Sequence, residues 1–158
     1  MLSSLVLHNR RELTAAQILH AGKLNAQLVA LSACNTGLNR LAYGDELLGL
    51  TRAFIGAGTQ SLVVSLWRVY ETPTRLFMDA FYRAWRGGQT KAKALLQAQH
   101  YLRQLSPAKV FEALMQLGLS DAAAQQQVNF FIAMSGPAHA PFDHPCYWGA
   151  FLLIGDPR

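Results

Sequence analysis

The sequence predicts an α/β fold built on a parallel sheet with flanking helices. Short apolar runs bounded by polar residues or glycine, which are typical of buried parallel strands, alternate with segments whose apolar residues recur at helical spacing. Hydrophobic residues make up 51% of the 158-residue chain and charged residues 15%, as in a globular protein rather than a disordered one. This length suits one domain with a substantial core.

The first half of the chain is predicted to form a strand, a short helix, a strand, a longer helix and a strand, over residues 5–7, 13–19, 28–33, 45–55 and 61–67. Thr14 is placed to cap the short helix, and Gly22 is placed to stop it. Asp45 opens the longer helix, which ends at Gly56 and Gly58. The runs at 28–33 and 61–67 are expected to be buried strands.

The second half of the chain is predicted to be mainly helical. A helix that begins at Thr72 or Thr74 is stopped by Gly87 and Gly88, and Thr90 caps the next helix. The remaining predicted elements are a helix opened by a Ser-Pro pair, a glutamine-rich segment of helix or loop, a loop and a final strand, at residues 106–107, 125–127, 136–145 and 148–154.

The chain carries a formal net charge of +5, but its basic residues are dispersed. No stripe of them is interleaved with aromatic residues, as a nucleic-acid-binding groove requires. No apolar run reaches the length of a membrane span, and the first residues lack the pattern of a signal peptide. We therefore expect a cytoplasmic protein with reduced cysteines that binds neither nucleic acid nor membranes. The five histidines lack metal-ligand spacing, so no metal and no cofactor are expected.

Cys34 is the candidate catalytic residue. It follows the predicted strand 28–33, and open α/β sheets place functional groups at the carboxyl ends of their strands. Asn35 and Gly37 then form a small polar loop that leaves room for a substrate backbone, and backbone N–H groups at such a turn can face a developing oxyanion. The alternative is a buried, inert cysteine that closes a strand. Cys146 precedes the last predicted strand and is expected to be a buried structural thiol.

The sequence Leu-Val-Ala-Leu-Ser-Ala-Cys-Asn-Thr-Gly at 28–37 resembles the nucleophile motif of the CHAT domain. This is a caspase- and separase-like cysteine peptidase family often found behind tetratricopeptide repeats. The resemblance continues in family order through nearly the whole chain, at residues 44–50, 52–54, 56–58, 61–67, 81–82, 91–92, 94–95, 98–99, 144–145, 147–151 and 154–156.

The resemblance implies a caspase-like parallel-sheet sandwich with flanking helices, and the chemistry of a cysteine endopeptidase. A histidine in a His-Gly motif would act as the base or ion-pair partner of the Cys34 thiolate. Attack of that thiolate on a peptide carbonyl would give an acyl-enzyme. The backbone N–H groups of Cys34 and of the glycine beside the histidine would bind the oxyanion.

In the family, the His-Gly motif precedes the segment that begins at Leu5. We therefore expect residues 1–158 to be a single, partial, N-terminally truncated CHAT domain. The catalytic histidine is expected from upstream sequence or a complementing chain, with tetratricopeptide repeats as upstream neighbours. His8 is weighed as a substitute base against a surface-loop histidine. Of the other histidines, His20 is expected at a helix end and His100 at an exposed helix position. His139 is expected in a loop, and His144 is expected to have a packing role.

Tyr70 and Glu71 stand where the family usually has an acidic pair, after the predicted strand 61–67. The resemblance assigns this region to substrate binding, because separase-like members use an acid here to hold a basic P1 side chain. Glu71 can still pair with an arginine in a bidentate geometry. Equally, Glu71 can occupy the first turn of the next helix, where the helix dipole favours an acid.

Two functions of different classes follow. The first is a CHAT-type cysteine endopeptidase domain that acts on protein or peptide substrates. The second is a catalytically inactive, caspase-like interaction module that keeps the fold without the catalytic pair. A strand followed by His-Gly upstream of Met1 would favour the first. The resemblance also implies a bacterial source.

Overall fold

The computed structural model describes residues 3–32, 43–136 and 140–158, in which helices and short strands combine as an α/β protein. The chain divides into two compact units, one formed by Met1–Arg68 with Leu152–Pro157 and the other by Val69–Phe151 with Arg158. Among the helices in the described ranges, none is both long and apolar enough to cross a membrane.

The first unit begins with two short strands that pair antiparallel, β1 (Ser4–Val6) and β2 (Glu12–Thr14), with Leu5 opposite Leu13. The predicted strand near Leu5 is confirmed. Strand β2 corrects the sequence-based prediction, which places Leu13 in the following helix. A three-residue strand is too short to show a period-two pattern, and its pairing depends on the chain returning beside β1.

Helix α1 (Ala15–His20) has the predicted cap. The hydroxyl of Thr14 accepts a hydrogen bond from the backbone N–H of Gln17 at 3.2 Å, and Oε1 of Gln17 accepts one from the backbone N–H of Thr14 at 2.9 Å. This reciprocal pair satisfies two donors that the first turn of a helix leaves without a partner. Gly22, with a φ of +92°, follows the end of the helix as predicted.

Strands β3 (Val29–Leu31), β4 (Ser61–Ser65) and β5 (Phe151–Gly155) form a three-stranded sheet in the order β3-β4-β5. Strands β3 and β4 are parallel, with Leu31 opposite Val64, as the alternation of strands and helices predicts. Strand β4 is buried along its whole length, which confirms the prediction for residues 61–65, whereas Leu66 and Trp67 lie beyond the strand and are exposed. Helix α2 (Tyr43–Gly56) lies between β3 and β4 in the chain.

Strand β3 is less buried than predicted. Val29 and Leu31 are half-buried and Ala30 is exposed. In the described residues β3 lies at an edge of the sheet, so it is covered by a neighbouring strand on one side only. Helix α2 ends at Gly56, as predicted, and directs its apolar face to a core made by Ile18, Leu50, Ala53, Phe54, Ala57, Leu62 and Val64.

The end of β5 lies against the start of β4. The backbone N–H of Asp156 donates to the carbonyl of Gln60 at 3.0 Å, and the hydroxyl of Ser61 donates to the carbonyl of Asp156 at 2.7 Å. Gly155 adopts a φ of +100°, and a Cβ there would press on the Gln60 carbonyl oxygen. The close approach of these two backbones therefore requires glycine at position 155.

We predict that Gly155→Ala lowers the free energy of unfolding by about 2–4 kcal/mol, because it adds both left-handed strain and a backbone clash. Gly88→Ala is the matched control, since Gly88 has a φ of +90° and no atom within 4 Å of its added Cβ. Strain alone should cost this variant about 1–2 kcal/mol. Urea denaturation measures both changes, and equal losses would show that the clash with Gln60 is relieved at no cost.

The second unit contains five helices in the described residues, α3 (Glu71–Arg86), α4 (Lys91–Arg103), α5 (Pro107–Gln116), α6 (Asp121–Ser135) and α7 (Pro145–Trp148). The hydroxyls of Thr90 and Ser106 accept hydrogen bonds from the first turns of α4 and α5, as predicted. The glutamine-rich segment, left open between helix and loop, lies in α6, which Ser120 caps in the same way.

Two predicted boundaries in this unit are wrong. Helix α3 begins at Glu71 with Tyr70 as its N-cap, whereas the sequence predicts a start at Thr72 or Thr74. The hydroxyl of Thr74 donates to the carbonyl of Tyr70 at 2.7 Å, so this threonine bonds back along the helix instead of capping it. Trp148 ends the short helix α7 and is not part of the last strand.

The core of the second unit is rich in aromatic side chains. Phe77 and Phe151 stack with ring centroids 3.9 Å apart and planes 13° apart. Both rings are almost completely buried, and they join α3 to the first residue of β5. Among the described residues of this unit, the other large, fully buried side chains are those of Phe81, Phe131, Phe142, Leu76, Leu102, Leu114, Val110 and Pro73.

Candidate functional site

The predicted nucleophile segment lies outside the described residues, since Cys34, Asn35 and Gly37 all fall within 33–42. The structure does describe the strand that precedes it. Strand β3 ends at Leu31, whose partner in the parallel strand β4 is Val64. The carboxyl ends of parallel strands meet at one edge of a sheet, which is where α/β proteins place functional groups.

Tyr70 and Glu71, the predicted substrate-binding residues of the second half, lie side by side at the start of α3. Tyr70 is the N-cap in an extended conformation and makes no capping bond with its side chain. Glu71 is exposed in the first turn, where the positive end of the helix dipole stabilises a carboxylate. The predicted first-turn position of Glu71 is confirmed, and its role in substrate recognition stays a prediction.

Tyr70 and Glu71 open onto one cavity of about 230 Å³ within the second unit. We call it the Tyr70 pocket. Helix α3 supplies one side, and α5, α6 and the loop between them supply the other. The remaining lining residues are Thr72, Arg75, Leu114, Leu119, Gln127, Phe130 and Phe131.

Two hydrogen bonds fix the polar side chains of the Tyr70 pocket. The hydroxyl of Thr72 donates to Oε1 of Gln127 at 2.8 Å, which orients the amide and leaves its NH₂ group as the available donor. The guanidinium of Arg75 donates to the carbonyl of Leu117 at 2.6 Å. Leu117 is the C-cap of α5, so the cation sits where a helix end favours positive charge.

Aromatic rings form the apolar wall of the Tyr70 pocket. The ring of Tyr70 lies 5.8 Å from that of Phe131, edge to face, and 6.4 Å from that of Phe130. Tyr147 stands 5.9 Å from both Tyr70 and Phe131 and continues the cluster into the core. Tyr70 and Phe130 nevertheless remain 45% and 49% exposed, so their outer faces are open to a ligand.

Two titratable groups beside the aromatic cluster are shifted by burial. Desolvation raises the pKa of the Tyr147 phenol, and the charges of Cys146, Tyr70 and Asp143 raise it further. Desolvation also raises the pKa of the Cys146 thiol, against the opposing effect of a backbone hydrogen bond. Cys146 is half-buried within α7 rather than fully buried before the strand. A thiol with a raised pKa stays protonated near neutral pH and is a poor nucleophile.

Three of the histidines lie at exposed positions on their elements. His8 is in the 3-10 turn that joins β1 to β2, which agrees with the surface-loop interpretation. His20 ends α1, as predicted, with Nδ1 2.7 Å from the carbonyl oxygen of Ala16. His100 is exposed on α4, also as predicted.

The remaining two histidines are His144 and His139. His144 is exposed and caps α7, because its Nδ1 accepts a hydrogen bond from the backbone N–H of Cys146 at 3.2 Å. This capping role replaces the packing role that the sequence predicts. His139 lies outside the described residues. Among the residues that are described, no three His, Cys, Asp or Glu side chains come together as a metal site.

The sequence-based interpretation missed the partners of Tyr70 and Glu71. Arg75 follows Glu71 by four positions on α3, a spacing that puts both on one helix face and gives a usable signal. Gln127 and Phe130 come from α6, far along the chain, and no local pattern connects them with Tyr70. Their contribution becomes visible only when α6 is seen beside the start of α3.

Comparisons with known proteins agree with the sequence resemblance. A family model described as the CHAT domain matches residues 1–156. Tetratricopeptide repeat protein 28 of Mus musculus is 32% identical over 143 residues, and the protein of the same name from Homo sapiens is 29% identical over 143 residues. Each alignment covers 90% of this chain but 4% of the relative, so the chain spans a small part of the curated relatives it matches. No solved structure matches the chain.

Proposed function

Because the chain belongs to the CHAT domain family, which is caspase-like and related to peptidases, we propose that it serves as a cysteine endopeptidase domain with Cys34 as the nucleophile. The proposal includes the caspase-like sandwich as the complete fold, with residues 1–158 as part of one such domain. It also includes a cytoplasmic site of action, where thiols stay reduced.

The family match across the Cys34 segment carries this proposal. The parallel pairing of β3 and β4 supports it, because Cys34 follows Leu31, the last residue of β3, by three positions. A nucleophile after a strand of an open parallel sheet is reached by substrate from the crevice at the carboxyl edge. The raised pKa of Cys146 supports the choice of Cys34 over the other cysteine.

The chemistry follows from a thiol paired with a base. Histidine takes the proton of Cys34, and Sγ bonds to the carbonyl carbon of the peptide while the oxygen becomes an oxyanion held by backbone N–H groups. Collapse of this intermediate breaks the C–N bond, and the amine leaves with the proton from histidine. Water then hydrolyses the thioester and restores Cys34. Asn35 and Gly37, which follow Cys34 in the sequence, are proposed to contact the substrate backbone.

The base is proposed to come from outside these 158 residues. Each of the four described histidines lies at an exposed turn, helix or cap position. A His-Gly segment upstream, or in a complementing chain, would supply both the base and the second oxyanion donor. The names of the two relatives contain "tetratricopeptide repeat", which supports a position beside such repeats. Both relatives are mammalian, and a bacterial source stays a prediction.

Substrate binding is proposed to involve Tyr70 and Glu71. The two side chains share the Tyr70 pocket, whose aromatic and polar lining suits the side chain of a peptide. Glu71 is exposed, and among the described residues no cation forms an ion pair with it.

The test compares this chain with one extended upstream of Met1 by a strand and a His-Gly segment. We expect the extended chain to cleave fluorogenic peptides and the 158-residue chain to be slower by about three orders of magnitude or more, since it lacks the base and one oxyanion donor. Efficient cleavage by the 158-residue chain, abolished by Cys34→Ala, would contradict an external histidine. No cleavage by either chain would favour the inactive interaction module.

A further inference from the structure

We propose that the Tyr70 pocket binds one large uncharged side chain of an extended peptide, rather than the basic side chain that an acid at position 71 first indicates. This inference deepens the proposed function and depends on it for the identity of the ligand as a peptide. The type of side chain is inferred from the pocket residues that α3 and α6 supply.

The size of the pocket limits its occupant. Sites for cofactors and drug-sized ligands occupy roughly 300–1,000 Å³. The Tyr70 pocket, at about 230 Å³, is smaller than these and holds the volume of about seven or eight water molecules. One aromatic or long aliphatic side chain with its adjoining backbone fits this space.

The charges that line the pocket oppose a cationic occupant. Glu71 and Arg75 are one helical turn apart on α3 and both face the cavity. Arg75 cannot swing away without losing its 2.6 Å bond to the carbonyl of Leu117. An arginine or lysine side chain entering the pocket therefore meets the exposed Arg75 cation as well as the Glu71 carboxylate. Because the charges of Glu71 and Arg75 offset each other, a cationic side chain gains little on entering, and the exposed faces of Tyr70 and Phe130 favour an uncharged one.

The apolar surface matches such a side chain. The outer faces of Tyr70 and Phe130 are exposed beside Leu119, and rings at these angles accept a third ring edge to face. The NH₂ group of Gln127, oriented by Thr72, is a donor for the carbonyl of the peptide that carries the side chain.

The test is a binding titration that needs no turnover. The 158-residue chain, labelled with ¹⁵N, is titrated with N-acetyl-phenylalaninamide, N-acetyl-leucinamide and N-acetyl-argininamide while its amide resonances are followed. We expect the phenylalanine and leucine probes to shift the resonances of Gln127 and Phe130, with a Kd about tenfold below that of the arginine probe. An arginine probe that binds as tightly as the other two would overturn the proposal, as would the absence of shifts at the pocket.

Two pairs of variants separate the contribution of the aromatic ring at position 130 to probe binding from that of the charge at position 75. Phe130→Ala should weaken the phenylalanine probe several-fold, whereas Met134→Ala should not, because Met134 is exposed one turn further along α6 and outside the lining. Arg75→Gln should improve binding of the arginine probe several-fold, whereas Arg75→Lys, which keeps the charge, should not. If the two variants of either pair changed the Kd of the probe equally, the proposed role of Phe130 or of Arg75 in the pocket would be contradicted. The binding titration does not depend on peptide cleavage. Absence of peptidase activity would therefore contradict the proposed function, whereas absence of probe binding would contradict the proposed role of the Tyr70 pocket.

Discussion

Replacing Cys34 with alanine should lower kcat/KM for peptide cleavage by about three orders of magnitude or more in a chain that carries the His-Gly segment. The variant keeps the oxyanion donors and the substrate contacts but loses the atom that forms the acyl-enzyme. Steady-state hydrolysis of a fluorogenic peptide measures the loss, with circular dichroism to show that the fold is retained.

Cys146→Ala is the matched control, because it removes the other thiol of the chain. Cys146 is half-buried in α7, and burial raises its pKa, so it is not suited to act as a thiolate near neutral pH. This variant should keep kcat/KM within a few-fold of the parent. A large loss in Cys146→Ala with little change in Cys34→Ala would reverse the assignment of the nucleophile.

Phe77→Ala should lower the free energy of unfolding by about 3–5 kcal/mol. The ring of Phe77 is fully buried and stacked on Phe151, so the change removes apolar contacts and leaves a cavity between α3 and the start of β5. Urea denaturation followed by tryptophan fluorescence gives the difference from the midpoint and slope.

Leu96→Ala provides the comparison for Phe77→Ala, because Leu96 is 55% exposed on α4. Its loss should change the free energy of unfolding by no more than about 0.5 kcal/mol. If both variants lost the same small amount, the second unit would not be packed around the stacked pair as described.

The sequence predicts best those features that depend on neighbouring residues. Thr14, Thr90 and Ser106 are identified as caps because the side chain and the backbone N–H that it serves are three residues apart. The buried strand β4 is also predicted from neighbouring residues, because its five consecutive residues are all of types that suit a buried strand.

The features that the sequence does not predict depend on contacts between distant residues. Strand β2 exists because the chain returns beside β1, and β3 is half-exposed because it lies at the sheet edge in the described residues. At the start of α3, Thr72 is engaged by Gln127 from α6, and Tyr70 takes the N-cap position in its place. These contacts cannot be predicted from the local propensities of the residues that make them.

The candidate site also contains residues that the sequence predicts and residues that only the structure brings together. Cys34 is found from its local motif and the family match, although its segment lies outside the described residues. Glu71 is found by position, but the sequence-based interpretation did not include its neighbours in the Tyr70 pocket, Arg75, Phe130 and Gln127. The sequence leaves open whether the acid at position 71 binds a basic side chain or only interacts with the helix dipole, and from the lining of the pocket we propose an uncharged ligand.

The most direct test of the account is the site of covalent capture by a peptide electrophile. The chain with its His-Gly segment is treated with a peptidyl acyloxymethyl ketone, digested and mapped by mass spectrometry. We expect one thioether adduct, on Cys34, that disappears in Cys34→Ala and persists in Cys146→Ala. An adduct on Cys146, or labelling of undiminished strength in Cys34→Ala, would show that Cys34 is not the nucleophile.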